Sequence, residues 1–548
     1  MRLPLEPPPL NPWCEPLPSV RFLSNGRYRA LLTAAGTGCS AVNDVALTRW
    51  RADPIEDADG YFFYLRDLDT HRVWSAGLQP SRVVSPGYRA RWEPGRFETT
   101  RVDEEIESRL EICVSPSFML ELRRLTLRNR SRRRRRIELT SFAEVVLGPG
   151  SADAAHPVFS KLFVRTEFAP EQRALMARRQ PRGLGEAPPL LFHALLGDGQ
   201  PQCETDRARF LGRCARAGAP QALRDDHKLS GTTGTVLDPI VCLRHTQELG
   251  PGEHTEVTFL LGTASGRTEA LTTVQRLSRP GAVESTFLEA RARARDELAR
   301  LGLEPAEAES LQALAGAMHY GSLQTPAEVR ERGLEGPQQP PREGLATDGM
   351  HVVLRADRCE RPDVTADLVD AHRYWQALGL PIDLVVVCDE VPRSVVDALE
   401  ETPDRLRLMR CTDLAFSDLA WLEATARLVV EDSLPNLAAL LHTRPDPVDV
   451  EPQRPGGRSR LVLGPRGRRD ADTERERHEL ARSTQTEAAR SAARPEADEA
   501  LELFNGIGGF AADGSEYVVR LRSDATGALT YPPRPWINVI ANEGFGFL

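Results

Sequence analysis

Few residues in this sequence are spaced for chemistry. His156, between Ala155 and Pro157, could move a proton or hold a metal ion, but it has no partner at ligand spacing and reads as a structural histidine. The acidic pairs Asp57/Asp59 and Glu104/Glu105 could share acid and base work, yet neither sits in a recognisable paired-carboxylate context. Nine cysteines (Cys14, Cys39, Cys113, Cys203, Cys214, Cys242, Cys359, Cys388 and Cys411) include no C-x-x-C pair. That spacing argues against zinc, and the odd number predicts reduced, mostly buried thiols. No activated nucleophile is visible. The expected catalytic set is empty, and no metal or cofactor is implied.

The totals narrow the class. A chain of 548 residues exceeds one ordinary core, so two to four domains are expected. An apolar fraction of 41% and a mean hydropathy of −0.38 describe a globular chain. A formal charge of −9 argues against bulk attraction to nucleic acid or anionic lipid. The opening Met1-Arg2-Leu3-Pro4-Leu5-Glu6 lacks the apolar core of a secretory leader. No uncharged apolar run approaches the roughly 20 residues that cross a bilayer, so direct membrane insertion is not expected. The reading is a cytoplasmic protein, or part of something larger. Lysine occurs only at Lys161 and Lys228, so arginine clusters reflect composition before function.

The elements that must position any site follow from periodicity. After an N-terminal extension at 1–19, residues 20–266 alternate in short segments such as Tyr61-Phe62-Phe63-Tyr64-Leu65, the pattern of a large antiparallel β-sandwich. Within it, Arg128-Asn129-Arg130-Ser131-Arg132-Arg133-Arg134-Arg135-Arg136 lies between two alternating segments and reads as a solvated hairpin tip, not a nucleic-acid patch. Residues 267–336 form a helical connector, with helices at 283–301 and 305–318, and the Pro/Gln-rich 337–342 marks a boundary. Residues 343–443 alternate strand and helix as a small α/β layer, with strands near 352–354, 382–388, 406–409 and 428–430. Its first turn, Ala356-Asp357-Arg358-Cys359-Glu360, has no glycine to admit a pyrophosphate, so no dinucleotide is expected. Residues 444–500 are charged and poor in large apolar side chains, the composition of a disordered linker with a transient helix near 473–482. The fold class is multidomain α+β.

Residues 501–548 regain strand character and hold an internal repeat. Pro18-Ser19-Val20-Arg21-Phe22-Leu23-Ser24-Asn25-Gly26-Arg27-Tyr28-Arg29-Ala30-Leu31 aligns without a gap on Pro535-Trp536-Ile537-Asn538-Val539-Ile540-Ala541-Asn542-Glu543-Gly544-Phe545-Gly546-Phe547-Leu548. The expectation is a truncated start of a second sandwich, which leaves an unpaired edge unless a partner covers it.

The same residues carry a family resemblance. Leu23-Ser24-Asn25-Gly26-Arg27-Tyr28, Leu47-Thr48-Arg49-Trp50-Arg51, Trp74-Ser75-Ala76-Gly77, Gln79-Pro80, the block from Glu138 to Val145, Ala155-His156-Pro157-Val158-Phe159-Ser160-Lys161-Leu162-Phe163 and Leu237-Asp238-Pro239-Ile240 look like the sandwich of cyclic β-1,2-glucan synthases. Asn505-Gly506-Ile507-Gly508-Gly509-Phe510 resembles the opening of that family's second sandwich. The resemblance implies a supersandwich akin to glycoside hydrolase family 94 phosphorylases (glycosyltransferase 36). In that family an (α/α)₆ barrel beyond the second sandwich supplies the catalytic acid, and a membrane-embedded glycosyltransferase lies far upstream. The family's Gly-Ile-Ser-Gly-Asp-x-Pro stretch stands here altered, as Gly344-Leu345-Ala346-Thr347-Asp348-Gly349-Met350.

Sugar recognition sets an aromatic face against the ring and planar polar groups against its hydroxyls. Trp50 with Arg49 and Arg51, and Trp74 with Gln79, are the candidate carbohydrate-binding residues, against the plainer reading that both tryptophans are core. The expected role is non-catalytic: binding β-glucan, or positioning a separately encoded catalytic domain, in association with an inner-membrane synthase. The alternatives are a self-contained phosphorylase or transglycosylase acting on β-1,2-glucan, and a partner module or decayed frame without activity of its own.

Overall fold

The computed structural model describes residues 12, 17–181, 187–213, 215–224, 228–321, 350–359, 362–392, 395, 405–431, 501–514, 516–523, 529–530, 540–541 and 546–547. The expected boundary at 337–342, the altered loop at 344–349 and the linker at 444–500 lie outside them. The chain divides into two compact units, 1–449 and 450–548.

In the first unit two large, mainly antiparallel sheets face each other. One has the order Val20–Ser24, Tyr28–Thr33, Gly38–Val42, Val45–Thr48, Arg135–Gly148, Pro239–Leu249, Gln202–Asp206, with Phe62–Asp67 and Val73–Ser75 branching from Arg135–Gly148. The other runs Gly234–Thr235, Val164–Ala169, Ala174–Arg179, Leu190–Leu196, His254–Ala264, Leu120–Asn129, Ile106–Val114, Arg96–Asp103, Arg89–Glu93. Alternation along each strand sends Leu31, Phe63, Leu65, Leu125, Ile137 and Phe259 into one shared core. The described cysteines are free thiols.

The arginine-rich segment corrects one expectation. Leu120–Asn129 pairs with Ile106–Val114 and His254–Ala264, whereas Arg135–Gly148 pairs with Phe62–Asp67 and Pro239–Leu249. The two strands lie in different sheets, so the turn is a corner between layers and not a hairpin tip. Asn129 and Ser131 are buried there. The Asn129 amide donates to the carbonyls of Arg133, Leu249 and Gly250 at 2.7, 3.0 and 3.0 Å, while its oxygen accepts from Ser131. Arg135 is also buried, paired with Asp67, whereas Arg130, Arg132, Arg133 and Arg134 face water. Alternating flanks are common to hairpins and corners, which is why periodicity alone misassigned the turn.

Helices follow the sandwich. Arg267–Leu277, which periodicity did not single out, and Ala282–Leu301 cover the outer face of the second sheet through Val274, Leu277, Phe287 and Ala290. Gly302, at φ +70°, ends the second of these, and Glu304 and Glu307 form a capping box for Pro305–His319. This third helix lies on the edge strand Val20–Ser24. Gly316 faces Val20 so closely that an added Cβ would come within 2.5 Å of the valine Cβ. Gln312 Oε1 accepts from the Phe22 backbone N–H at 2.8 Å.

The same helix also holds the α/β layer. Gln312 donates to the Tyr374 hydroxyl at 2.8 Å, and the Trp375 indole donates to the Leu311 carbonyl at 3.0 Å. The layer is a parallel sheet ordered Leu406–Arg410, Ile382–Cys388, Met350–Arg355, Leu428–Val430, with helices Pro362–Ala377 and Phe416–Thr425. Among the described residues no helix is long and apolar enough to cross a membrane.

The second unit contains short antiparallel pairs: Gly508–Phe510 with Tyr517–Val519, Arg522–Ser523 with Leu529–Thr530, and Ile540–Ala541 with Gly546–Phe547. In the last, Ile540 opposes Phe547 and Ala541 opposes Gly546. In the first hairpin of the sandwich, Leu23 opposes Ala30 and Ser24 opposes Arg29. These are the positions that the gapless internal alignment equates, so the repeated sequence carries a repeated register.

Candidate functional site

A cavity of about 710 Å³ opens where the first sheet meets the end of Pro305–His319 and the start of the α/β layer, represented by Met350 and Pro381. Its position follows from the strand Val45–Thr48. Beyond Thr48 the backbone stays tied to the neighbouring strand, because Arg49 N–H donates to the Glu144 carbonyl at 3.1 Å. The Arg49 guanidinium is thereby set against two carboxylates. Its Nε and Nη2 donate to Asp153 at 2.8 and 3.0 Å, and Nη1 pairs with Glu144. Arg207 reaches the other Glu144 oxygen at 2.5 Å and Asp238 at 3.4 Å, and Lys161 reaches Asp238 at 2.9 Å.

Burial opposes ionisation throughout this wall, but pairing prevails. Burial draws the Arg49 pKa down, whereas the hydrogen bonds from Asp153 and the charges of Glu144 and Asp153 more than reverse this, holding it above its ordinary value. Burial likewise pushes Glu144 up, and Arg207 and Arg49 bring it below the usual carboxylate range. The result is a rigid array of forked donors and charged acceptors. Arg51 pairs with Asp59 at 2.7 Å, so carboxylates answer Arg49, Arg51, Arg207 and Lys161, whereas Arg29 donates to the Gly379 carbonyl at 3.1 Å and burial draws its pKa down.

An aromatic floor adjoins this wall. Trp50 packs edge-on against Tyr320 with ring centroids 5.2 Å apart, and His319 lies 6.3 Å from the indole. Tyr320 in turn donates to Asp57 at 2.8 Å. Thr37 also donates to Asp57, at 2.6 Å, and burial raises that carboxyl's pKa despite these bonds. Asp57 and Asp59 therefore serve different partners and are not a working pair.

The four sequence-predicted residues divide. Arg49 and Trp50 stand together on the cavity. Trp74 does not join them: it is 1% exposed, opposite Leu65 within the sheet, so no ring face is free for a sugar. Gln79 lies beside a separate cavity of about 240 Å³, donating to the Glu56 carbonyl at 2.9 Å and accepting from Arg82 at 3.3 Å. His156 is exposed between the short helices Gly150–Ala155 and Pro157–Lys161. Among the described residues, no three His, Cys, Asp or Glu side chains converge as a metal would require.

Sequence reasoning passed over Glu144, Asp153, Lys161, Arg207, Asp238 and His319. A signal existed for three of them. The blocks 138–145, 155–163 and 237–240 bring Glu144, Lys161 and Asp238 to one wall.

Comparison with known proteins agrees with this architecture. Residues 12–280 match the glycosyl hydrolase 94 supersandwich domain. This segment is therefore similar to that supersandwich domain. The chain is 31% identical over 540 residues, 96% of its length, to the cyclic β-(1,2)-glucan synthase NdvB of Rhizobium meliloti (strain 1021), of which it covers 18%. It is 25% identical over 228 residues, 41% of its length, to solabiose phosphorylase of Paenibacillus borealis, of which it covers 29%. The chain is thus related to a cyclic β-(1,2)-glucan synthase and similar in part to a phosphorylase, while spanning less than a third of either protein. Among solved structures, a bacterial glucoamylase complexed with acarbose aligns over 58% of this chain and 41% of its own, at 8% identity and a TM-score of 0.35. That likeness carries no argument here.

Proposed function

We propose that this supersandwich chain is a glucan-binding, non-catalytic portion of a cyclic β-1,2-glucan synthase-like system, and that the cavity at Arg49 and Trp50 receives the glucan. One observation carries the reading: charge-matched guanidinium and carboxylate groups are fixed beside an aromatic floor in a cavity of about 710 Å³. Such a site has little net charge to attract an ion. It offers many directed partners to hydroxyl groups and an indole to the apolar face of a pyranose. The relationship to a cyclic β-(1,2)-glucan synthase supports β-glucan as the ligand class. The partner is proposed to be a catalytic (α/α)₆ barrel, and the repeated hairpin register supports reading residues 501–548 as the opening of a second sandwich.

Isothermal titration with linear and cyclic β-1,2-glucans tests the binding reading. Heat that saturates with either ligand supports it, and no heat with both overturns it. Incubation with β-1,2-glucan and inorganic phosphate tests the non-catalytic reading, because release of glucose 1-phosphate would make the chain a phosphorylase.

A further inference from the structure

His319 ends the helix Pro305–His319, and its ring lines the cavity. Its Nδ1 lies 2.8 Å from the Ala315 carbonyl. A carbonyl can only accept, so Nδ1 must carry the proton and a neutral ring keeps Nε2 as a bare acceptor. The ring is fixed against Phe22, 5.2 Å away, and Trp50. We propose that His319 is a ligand-reading residue of this cavity, whose Nε2 accepts a hydrogen bond from a hydroxyl of an uncharged sugar lying on Trp50. The inference rests on the glucan-binding reading above and adds the group that discriminates a hydroxyl donor from an anion.

The surroundings favour a neutral ring. Burial pushes the His319 pKa down to about 4, and although the Ala315 bond opposes this, Arg29 from the strand Tyr28–Thr33 and Arg427 before Leu428–Val430 add to it. The other groups facing this helix end, Trp50 and Tyr320, are uncharged, and the nearby Asp57 is engaged by Tyr320 and Thr37. An imidazolium would offer protons at both nitrogens and would suit a phosphate or carboxylate. A neutral ring suits a hydroxyl.

The test uses the full chain, selectively ¹⁵N-labelled at histidine, with cyclic and linear β-1,2-glucan as probes. Saturating glucan should shift the His319 Nε2 resonance, assigned by its loss in His319→Gln, and leave Nδ1 protonated. Glucan affinity should fall about tenfold in His319→Phe, the scale of one hydrogen bond, and by less than about threefold in His319→Gln, which retains an acceptor. Wild-type affinity should stay level between pH 8 and 5.5. Wild-type binding with an unmoved Nε2 resonance, or with affinity that strengthens as pH falls through 6.5, overturns the role of His319 and leaves the glucan site standing. Failure of the wild type to bind either glucan overturns the underlying reading instead.

Discussion

Acid should loosen the sandwich from within, and His193 allows the effect to be worked through. It lies on Leu190–Leu196, fully buried, with Nδ1 donating to the Leu260 carbonyl at 2.8 Å and Nε2 accepting from Ser141 Oγ at 2.8 Å. Phe259 stacks on the ring, with centroids 5.9 Å apart. Burial pushes its pKa down to about 4; the Leu260 bond opposes this and Arg123 reinforces it. In the unfolded chain the ring titrates near 6.5. As pH falls below about 6.5 the unfolded state takes up a proton that the folded state refuses until about pH 4. The stabilisation is therefore complete above the unfolded value and is lost down this window, at about 1.4 kcal/mol per pH unit. At pH 5 the loss reaches about 2 kcal/mol. His193→Gln, which cannot titrate, removes this dependence. Hydrogen exchange of peptides spanning 190–196 and 254–264, followed in wild type and variant from pH 7.5 to 5, gives the opening free energy at each pH. The gap between the two proteins should narrow by about 2 kcal/mol as pH falls. Curves that stay parallel would mean that His193 titrates alike in both states, and the argument from burial would fail.

Other outcomes follow from the same contacts. Arg49→Met strands Asp153 and half of Glu144 in the cavity wall, so a loss of about 3 kcal/mol is expected, seen as a lowered Tm in calorimetry, together with loss of glucan binding by titration. Trp50→Ala should weaken glucan binding at least tenfold and, because the indole packs on Tyr320 and the core edge, lower Tm by less than Trp74→Ala does. Trp74→Ala should lower stability by about 3–5 kcal/mol in urea unfolding, and any folded protein recovered should bind as the wild type does. Asn129→Ala removes the amide that satisfies three carbonyls at the inter-sheet corner and should cost about 2 kcal/mol in the same assay.

Much of the architecture was legible because it depends on period. The alternation at Tyr61–Leu65 gave strands, and the nearly unbroken apolar run Ile382–Cys388 gave a buried parallel strand. Which sheet a strand joins depends on distant partners, so the corner at Asn129 was read as a hairpin. The tryptophans show the same limit. Trp50 lies just past the end of Val45–Thr48, where the chain leaves the sheet, whereas Trp74 is centred in Val73–Ser75 and faces inward. Both stand near polar side chains in sequence, and only their place relative to a strand end separates them. Asp153 and Arg207 could not be found locally, because their role arises from convergence on Arg49 and Glu144.

The helix Pro305–His319 draws these observations together. Gln312 ties the helix to both neighbours at once, its oxygen to Phe22 of the sandwich and its amide to Tyr374 of the α/β layer, and the Gly316–Val20 approach and the Trp375–Leu311 bond reinforce the two contacts. Its C-terminal end then places His319 on the cavity and Tyr320 between Trp50 and Asp57. The aromatic floor is consequently not a property of the sandwich alone. Arg49, Glu144 and Asp153 form a charged wall from the sandwich's own residues, but the aromatic surroundings of Trp50, the proposed sugar face, include the end of the helix. A supersandwich that kept every arginine and carboxylate and lost this contact would retain the wall and lose the floor proposed to orient a pyranose against it.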